Sequence, residues 1–344
     1  MVLKRFKGPR GRVVGCDHSS ACLRGNALGD PHDRRVHVYL PDGYDEASDR
    51  RYPVLYDLVG FTGSGPSHVN WMSFQENLPE RLDRLIAGGQ MEPVLVVFPD
   101  CFTALGGNQY IDSSAIGRYA SYLTEELVPF IDGRFKTLAE RGHRGVFGKS
   151  SGGYGAIVHG LRYTDTWGAV ACHSGDMHFD FCYRVGLPAT LNELAKHGRS
   201  VSSFLEHAHG REKLSGDELN ALMTIAMAAS YDPDPAAPLG FHMPLDLYTG
   251  ELEEQRWRRW LRHDPIRLLS EHGESLRRLS LVYVDCGSRD QYHLQYGSRI
   301  FCQRLEQLGI PHHYEEFDDD HSSVDYRMDR SLPLLAEVLG PRRV

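Results

Sequence analysis

The sequence predicts an α/β protein: a mostly parallel central sheet with helices on both faces and one helical insertion. Three observations lead there. Short apolar runs ended by Gly, Pro or Asp recur along the chain, segments of helical period separate them, and this alternation lapses once, over residues 176–262. Strands alternating with helices form a parallel sheet covered on both faces. At 344 residues and 41% hydrophobic, the chain can bury a large core, as two domains or as one large domain carrying an insertion.

In chain order, VHVYL (36–40) alternates and stops at Pro41-Asp42-Gly43, VLYDLV (54–59) stops at Gly60, and PVLVVF (93–98) stops at Pro99-Asp100. Tyr119, Leu123, Leu127 and Phe130 then repeat at helical spacing. Further strands are expected at 145–147, 169–172, 279–284 and, more polar, 312–317, with a helix through Ile300, Phe301, Leu305 and Leu308. The core is therefore read as residues 1–175 and 263–344. The insertion at 176–262 is read as a helical cap over one end of the sheet, because it holds segments such as SGDELNALMTIAMAAS and a Pro-rich stretch but no convincing strand. Within it, Trp257, Trp260 and Leu261 share a helix face, with Arg256, Arg258, Arg259 and Arg262 largely between them. A core-facing stripe with a solvated opposite face is preferred to a basic membrane-surface helix.

Charge and cysteine content narrow the function. With 38 Lys+Arg against 46 Asp+Glu, a net of −8, no global positive field holds the chain on nucleic acid or an anionic membrane. The charge runs are short, at 4–12, 315–320 and 342–343. No apolar stretch approaches the roughly 20 residues that cross a bilayer. The start MVLKRFKGPRGR lacks an apolar segment and cleavage site, so the expected location is cytoplasmic. Seven cysteines without a C-x-x-C pair argue against a disulfide framework or zinc ribbon, and most are expected to be small buried thiols. No metal or organic cofactor is expected.

The sharpest local signal is RGVFGKSSGGYGAIVHGL at 144–161. One reading is a G-x-S-x-G elbow formed by Gly148, Ser150 and Gly152, in which a strand enters a tight turn and leaves as a helix, exposing a strained serine. The other is a P-loop, from Gly148-Lys149-Ser150. That motif needs a glycine at position 143, which is His143. A glycine-rich strand–helix turn without catalysis is the plain alternative.

A serine hydroxyl becomes nucleophilic when an imidazole takes its proton, and a carboxylate must orient that imidazole. Following the strand near 279–284, DCGSRDQY offers Asp285 and Asp290; Gly287 turns the chain and lets Asp290 project, so Asp290 is preferred. FDDDHSSVDYR then supplies His321 on the loop after the next strand. The order Ser, Asp, His is the one an elbow serine uses. Each partner also has a plain reading, Asp290 as a helix cap and His321 as one of 18 histidines. Negative charge on a tetrahedral intermediate needs fixed N–H donors. Ser151, after the nucleophile, and Phe61, in the glycine-rich GFTGSG at 60–65, are the candidates.

These pieces together resemble the esterase branch of the α/β-hydrolases that includes S-formylglutathione hydrolases, enterochelin esterases, feruloyl esterases and mycolyltransferases. The matching segments are RGNALGDPHDRRVHVYLPDGYD, GKSSGGYGA, GAVACHSGD, VDCGSRDQY and FDDDHSSVDYR, nearly end to end outside the insertion. The resemblance implies an α/β-hydrolase fold, a triad of Ser150, Asp290 and His321, and an oxyanion hole from Phe61 and Ser151. GGNQYIDS at 106–113 looks like the family's loop near the pocket, making Gln109 and Tyr110 candidate substrate contacts; Trp71 is an aromatic candidate for the pocket wall. Two departures stand out. Val59 occupies the place of a histidine that many relatives carry before the glycine, and the long insertion is closer to enterochelin-esterase-like members.

The expected function is a serine hydrolase that cleaves carboxylic esters through an acyl-enzyme, with a small-molecule ester as its partner. Two rivals remain open: an acyltransferase that uses the same triad, and a non-catalytic ligand-binding homologue that uses the cap for recognition. The sequence specifies neither the acyl and alcohol groups nor an oligomeric state.

Overall fold

A computed structural model describes residues 8–341. The basic residues of 4–7 and Arg342–Arg343 lie outside them. The described residues form ten strands, in chain order β1 (Arg12–Ser19), β2 (Asp33–Leu40), β3 (Val54–Leu58), β4 (Leu95–Phe98), a minimal hairpin of β5 (Asp112–Ser113) and β6 (Gly117–Arg118), β7 (Arg144–Lys149), β8 (Ala169–His173), β9 (Leu281–Gly287) and β10 (His313–Phe317). Eight form one sheet in the order β1-β2-β4-β3-β7-β8-β9-β10. From β4 to β10 neighbours pair in parallel, and β2 is antiparallel to both β1 and β4. This is the mostly parallel sheet expected.

Alternation along the strands separates two cores. Leu55, Val96, Phe147 and Tyr283 point to one face, where they pack with Leu82 of the helix Leu78–Ala87 and with Leu332 and Leu335 of the helix Met328–Leu339. Val54, Tyr56, Val146 and Val170 point to the other. There they meet Ile131, Ile157 of the helix Ser151–Arg162, and Phe301 of the helix Leu294–Gln307. Six of the seven cysteines are buried, as small apolar side chains.

The insertion is helical, with Leu187–Ala195, Val201–His209, Gly216–Tyr231 and Glu254–Leu261 as its longer helices. Gly216–Tyr231 starts at a capping box of Ser215 and Glu218, which satisfies amides the first turn leaves unpaired. Trp257 and Trp260 are buried, while Arg256 and Arg259 both donate to the buried carboxylate of Asp232, at 3.0 and 2.7 Å. The tryptophan stripe faces the core. Leu194, Phe204, Ile225 and Trp260 join the same apolar cluster as Val146 and Val170, so the insertion extends one face of the sheet.

The topology also places the site. After β3 the chain crosses to β4 on one side, and after β7 it crosses to β8 on the other. Adjacent parallel strands whose connections diverge leave a crevice at their carboxyl ends, the usual place for a ligand in an open α/β sheet. Residues 60–65 follow β3 and Ser150 follows β7, so both border that crevice.

Candidate active site

Ser150 sits between β7 and the helix Ser151–Arg162 at φ 58° and ψ −124°. Positive φ strains a residue with a side chain, and the turn holds it there. Ser150 N–H donates to His173 O at 3.0 Å, and its carbonyl accepts from Tyr154 N–H at 2.8 Å. The flanking glycines are required by close approach. A Cβ at Gly148 would lie 2.2 Å from the carbonyl oxygen of Leu58, and one at Gly152 would lie 1.7 Å from it. The strand–turn–helix therefore packs directly on the end of β3.

His321 follows β10 and Asp290 follows β9. His321 Nδ1 lies 2.7 Å from Asp290 Oδ2, and both residues are buried. A carboxylate accepts from Nδ1–H and so selects the tautomer whose Nε2 can take a proton. The other oxygen, Oδ1, accepts from Tyr292 N–H at 2.8 Å. Gln291 Oε1 accepts from His321 N–H at 3.0 Å, and the Tyr292 ring stands edge-on to the imidazole at 4.9 Å. Backbone and ring thus both fix the histidine.

Asp285, the competing carboxylate, is committed elsewhere. It accepts from Arg327 at 3.0 Å and lies 2.7 Å from His173 Nδ1, whose Nε2 lies 2.8 Å from Ser331 Oγ. Asp285, His173 and Ser331 reproduce the three residue types of a triad, yet all three are sealed in the core. That cluster ties β8 and β9 to the helix Met328–Leu339.

Gly63 N–H donates to Gly60 O at 3.0 Å, closing a turn with Phe61 at its second position. The N–H of Phe61 forms no hydrogen bond among the described residues, and Ser151, first in its helix, has no intrahelical acceptor. Phe61, Ser150, Ser151 and His321 line one cavity of about 470 Å³. Trp71 is on its wall and largely exposed.

Gln109 and Tyr110 are not brought to this cavity, contrary to the expectation that they contact substrate. Gln109 is buried behind it, donating to Ser151 Oγ at 2.8 Å and accepting from Tyr231 Oη at 3.0 Å. Tyr110, at φ 57°, is buried and donates to the carbonyl of Val59 at 2.6 Å. Both brace, from the rear, the segments that carry Ser151 and Phe61.

Sequence reasoning missed several wall residues. Asp176, Cys182, Tyr183, Leu219 and Met223 form the wall on the insertion side, and His68 stands on the side of the β3 loop. Burial pushes the Asp176 carboxyl up to about 6, against the opposing effects of Tyr183, His321 and Ser151. Burial alone would lower His68, but the charge and hydrogen bond of Asp57 outweigh it and raise the imidazole. One available signal was GAVACHSGD: Asp176 ends that segment just beyond β8, where the crevice opens.

A sheet in this order with a turn-borne serine at its switch point is an α/β-hydrolase fold, and solved structures agree. A ferulic acid esterase superposes with a TM-score of 0.64 at 20% identity, covering 97% of this chain and 100% of the other. An S-formylglutathione hydrolase from Agrobacterium tumefaciens gives 0.57 at 18% identity, covering 98% and 99%. At these identities the likeness is one of fold. The family whose description is "Putative esterase" matches residues 26–329, and the chain belongs to that family. Among curated relatives, Esterase Rv1288 of Mycobacterium tuberculosis (strain ATCC 25618 / H37Rv) is 34% identical over 142 residues, which is 41% of this chain and 28% of the relative. The Endo-1,4-beta-xylanase/feruloyl esterase of Xylanibacter ruminicola is 32% identical over 148 residues, 41% of this chain and 19% of the relative. The chain spans less than a third of the length of these curated relatives.

Proposed function

We propose that this protein is a serine hydrolase that cleaves small carboxylic esters through an acyl-enzyme. Ser150 Oγ attacks the ester carbonyl as His321 Nε2 takes its proton. The N–H groups of Phe61 and Ser151 hold the oxyanion, and Asp290 stabilises the imidazolium. His321 then gives the proton to the departing alcohol, and water, activated by the same imidazole, releases the acid. The observation that carries this reading is the 2.7 Å contact of His321 Nδ1 with Asp290, beside a strained serine on the same cavity. The relatives named as feruloyl esterases and the S-formylglutathione hydrolase make aromatic acyl esters and thioesters the first substrates to screen beside simple alkyl esters.

The test is hydrolysis of p-nitrophenyl butyrate by Ser150→Ala. Turnover falls on the order of 10⁶-fold, about 8 kcal/mol of transition-state stabilisation, and labelling by a fluorophosphonate is lost. A folded variant that retains the parent rate would falsify the assignment.

A further inference from the structure

The mechanism above makes no use of Asp176, yet this carboxylate lies on the cavity wall beside the nucleophile. Its position is rigid. A Cβ on the preceding Gly175 would lie 2.4 Å from Cys172 Sγ and 2.8 Å from the backbone of Gly153, so the chain leaving β8 is pressed against the elbow helix. The carboxylate is held from one side. Tyr183 Oη donates to Oδ2 at 2.7 Å, and Ser151 Oγ donates to the same oxygen at 3.3 Å. Tyr183 also approaches Tyr231 Oη at 3.3 Å, and Tyr231 donates to Gln109, which donates to Ser151, so the support is a closed buried network.

The second oxygen, Oδ1, accepts no hydrogen bond among the described residues. It is not one of the fully enclosed polar atoms left without a partner, and the residue lines the cavity. The same cavity is also lined by Leu219 and Met223, from the helix Gly216–Tyr231 of the insertion. An unpaired acceptor on a cavity wall discriminates: a ligand that offers a donor satisfies it, and one that does not strips it of water without replacement.

We infer that Asp176 is a specificity-determining residue whose Oδ1 accepts a hydrogen bond from a hydroxyl group on the part of the ester lying under the insertion, making hydroxylated esters the preferred substrates. The inference rests on the serine-hydrolase reading and narrows its substrate class.

The test compares kcat/KM for three esters of similar size, ethyl butyrate, ethyl 3-hydroxybutyrate and 2-hydroxyethyl butyrate, and for the larger butyrylcholine. The second and third carry the hydroxyl on the acyl and alcohol sides, and the fourth carries positive charge without a donor. The parent protein is expected to favour one hydroxylated ester over ethyl butyrate by about tenfold or more, the lower range for a hydrogen bond to a charged group. In Asp176→Ala that ratio falls to about one, and in Asp176→Asn it falls to an intermediate value. The ratio within each variant is the readout, so a general loss of activity or stability does not mimic the result. A parent protein indifferent to both hydroxyls, a preference that survives in Asp176→Ala, or a preference for butyrylcholine alone overturns the inference. Failure of the underlying reading looks different: ethyl butyrate is then cleaved equally well by Ser150→Ala, or by neither protein.

Discussion

Asp290 and Asp176 are both buried carboxylates near one imidazole, and their partners separate their roles. Asp290 has both oxygens engaged, one by His321 and one by the amide of Tyr292. Asp290→Asn keeps the shape but lets the imidazole settle in the wrong tautomer. It should lower kcat about 10⁴-fold at neutral pH, as loss of a triad carboxylate does elsewhere; steady-state kinetics with p-nitrophenyl butyrate checks this. Asp176 instead bears a cost of burial, which lifts its carboxyl from 3.8 to about 6. Between those pH values the folded protein retains a proton that the unfolded chain has released, so stability falls as pH rises through the window, by up to about 3 kcal/mol. Asp290 adds to the upward shift, while Tyr183, His321 and Ser151 oppose it. Asp176→Asn should therefore be the more stable protein at pH 7.5, by about 1 to 3 kcal/mol, with the gap closing near pH 4. Urea melts at the two pH values measure it, and a gap that persists at pH 4 assigns the gain to something other than the charge.

The elbow makes its demands on a whole element. Because a Cβ at Gly152 meets the Leu58 carbonyl oxygen at 1.7 Å, Gly152→Ala must push β3 away from the helix Ser151–Arg162. The loss should be about 3 kcal/mol or more, toward the upper range for overpacking. Gly133, exposed near the end of the helix Val128–Arg134 with open space at its Cβ position, is the control. Gly133→Ala should gain about 0.5 kcal/mol from helix propensity. Thermal melts of the pair separate steric demand from propensity. The same distinction explains which elements the sequence revealed. VLYDL and LVVF form β3 and β4 in the buried middle of the sheet, and burial on both faces leaves a mostly apolar run that is easy to read. RVVGCDHS has no such run, because β1 is a half-exposed edge strand held by pairing with β2 from Arg12↔Leu40 to Ser19↔Asp33. Ser150, Asp290 and His321 were legible as candidates because the chemistry proposed for them requires an order along the chain. Leu219 and Met223 were not, since a helix residue facing a cavity carries the same period as one facing the core, and Tyr183 sits in a turn after the helix Phe179–Cys182 that no period marks. Gln109 and Tyr110 lay in the segment likened to the family's pocket loop, but here both side chains turn inward to brace the site.

Over the whole molecule the decisive fact is that the insertion does not carry a core of its own. Tyr154, one turn beyond Ser150, meets the ring of Tyr231 edge-on at 5.9 Å, and Tyr231 in turn meets Trp260 at 5.5 Å. Tyr154 Oη also donates to the carbonyl of His263 at 3.1 Å, where the chain returns from the insertion to the sheet. The helix Ser151–Arg162 and the insertion are therefore two sides of one aromatic cluster, and neither can lose the other without exposing it. Trp260 is fully buried there. Trp260→Ala should cost about 3 to 5 kcal/mol, the range for deleting a large aromatic side chain from a core. If the core is shared, that cost lowers the stability of the sheet as well as of the insertion. Calorimetry should show a single endotherm for the parent and for the variant, shifted as a unit to lower temperature. Two resolved endotherms, with the variant moving the earlier one alone, would mean that the insertion melts from an intact sheet and that the wall it lends to the cavity can detach.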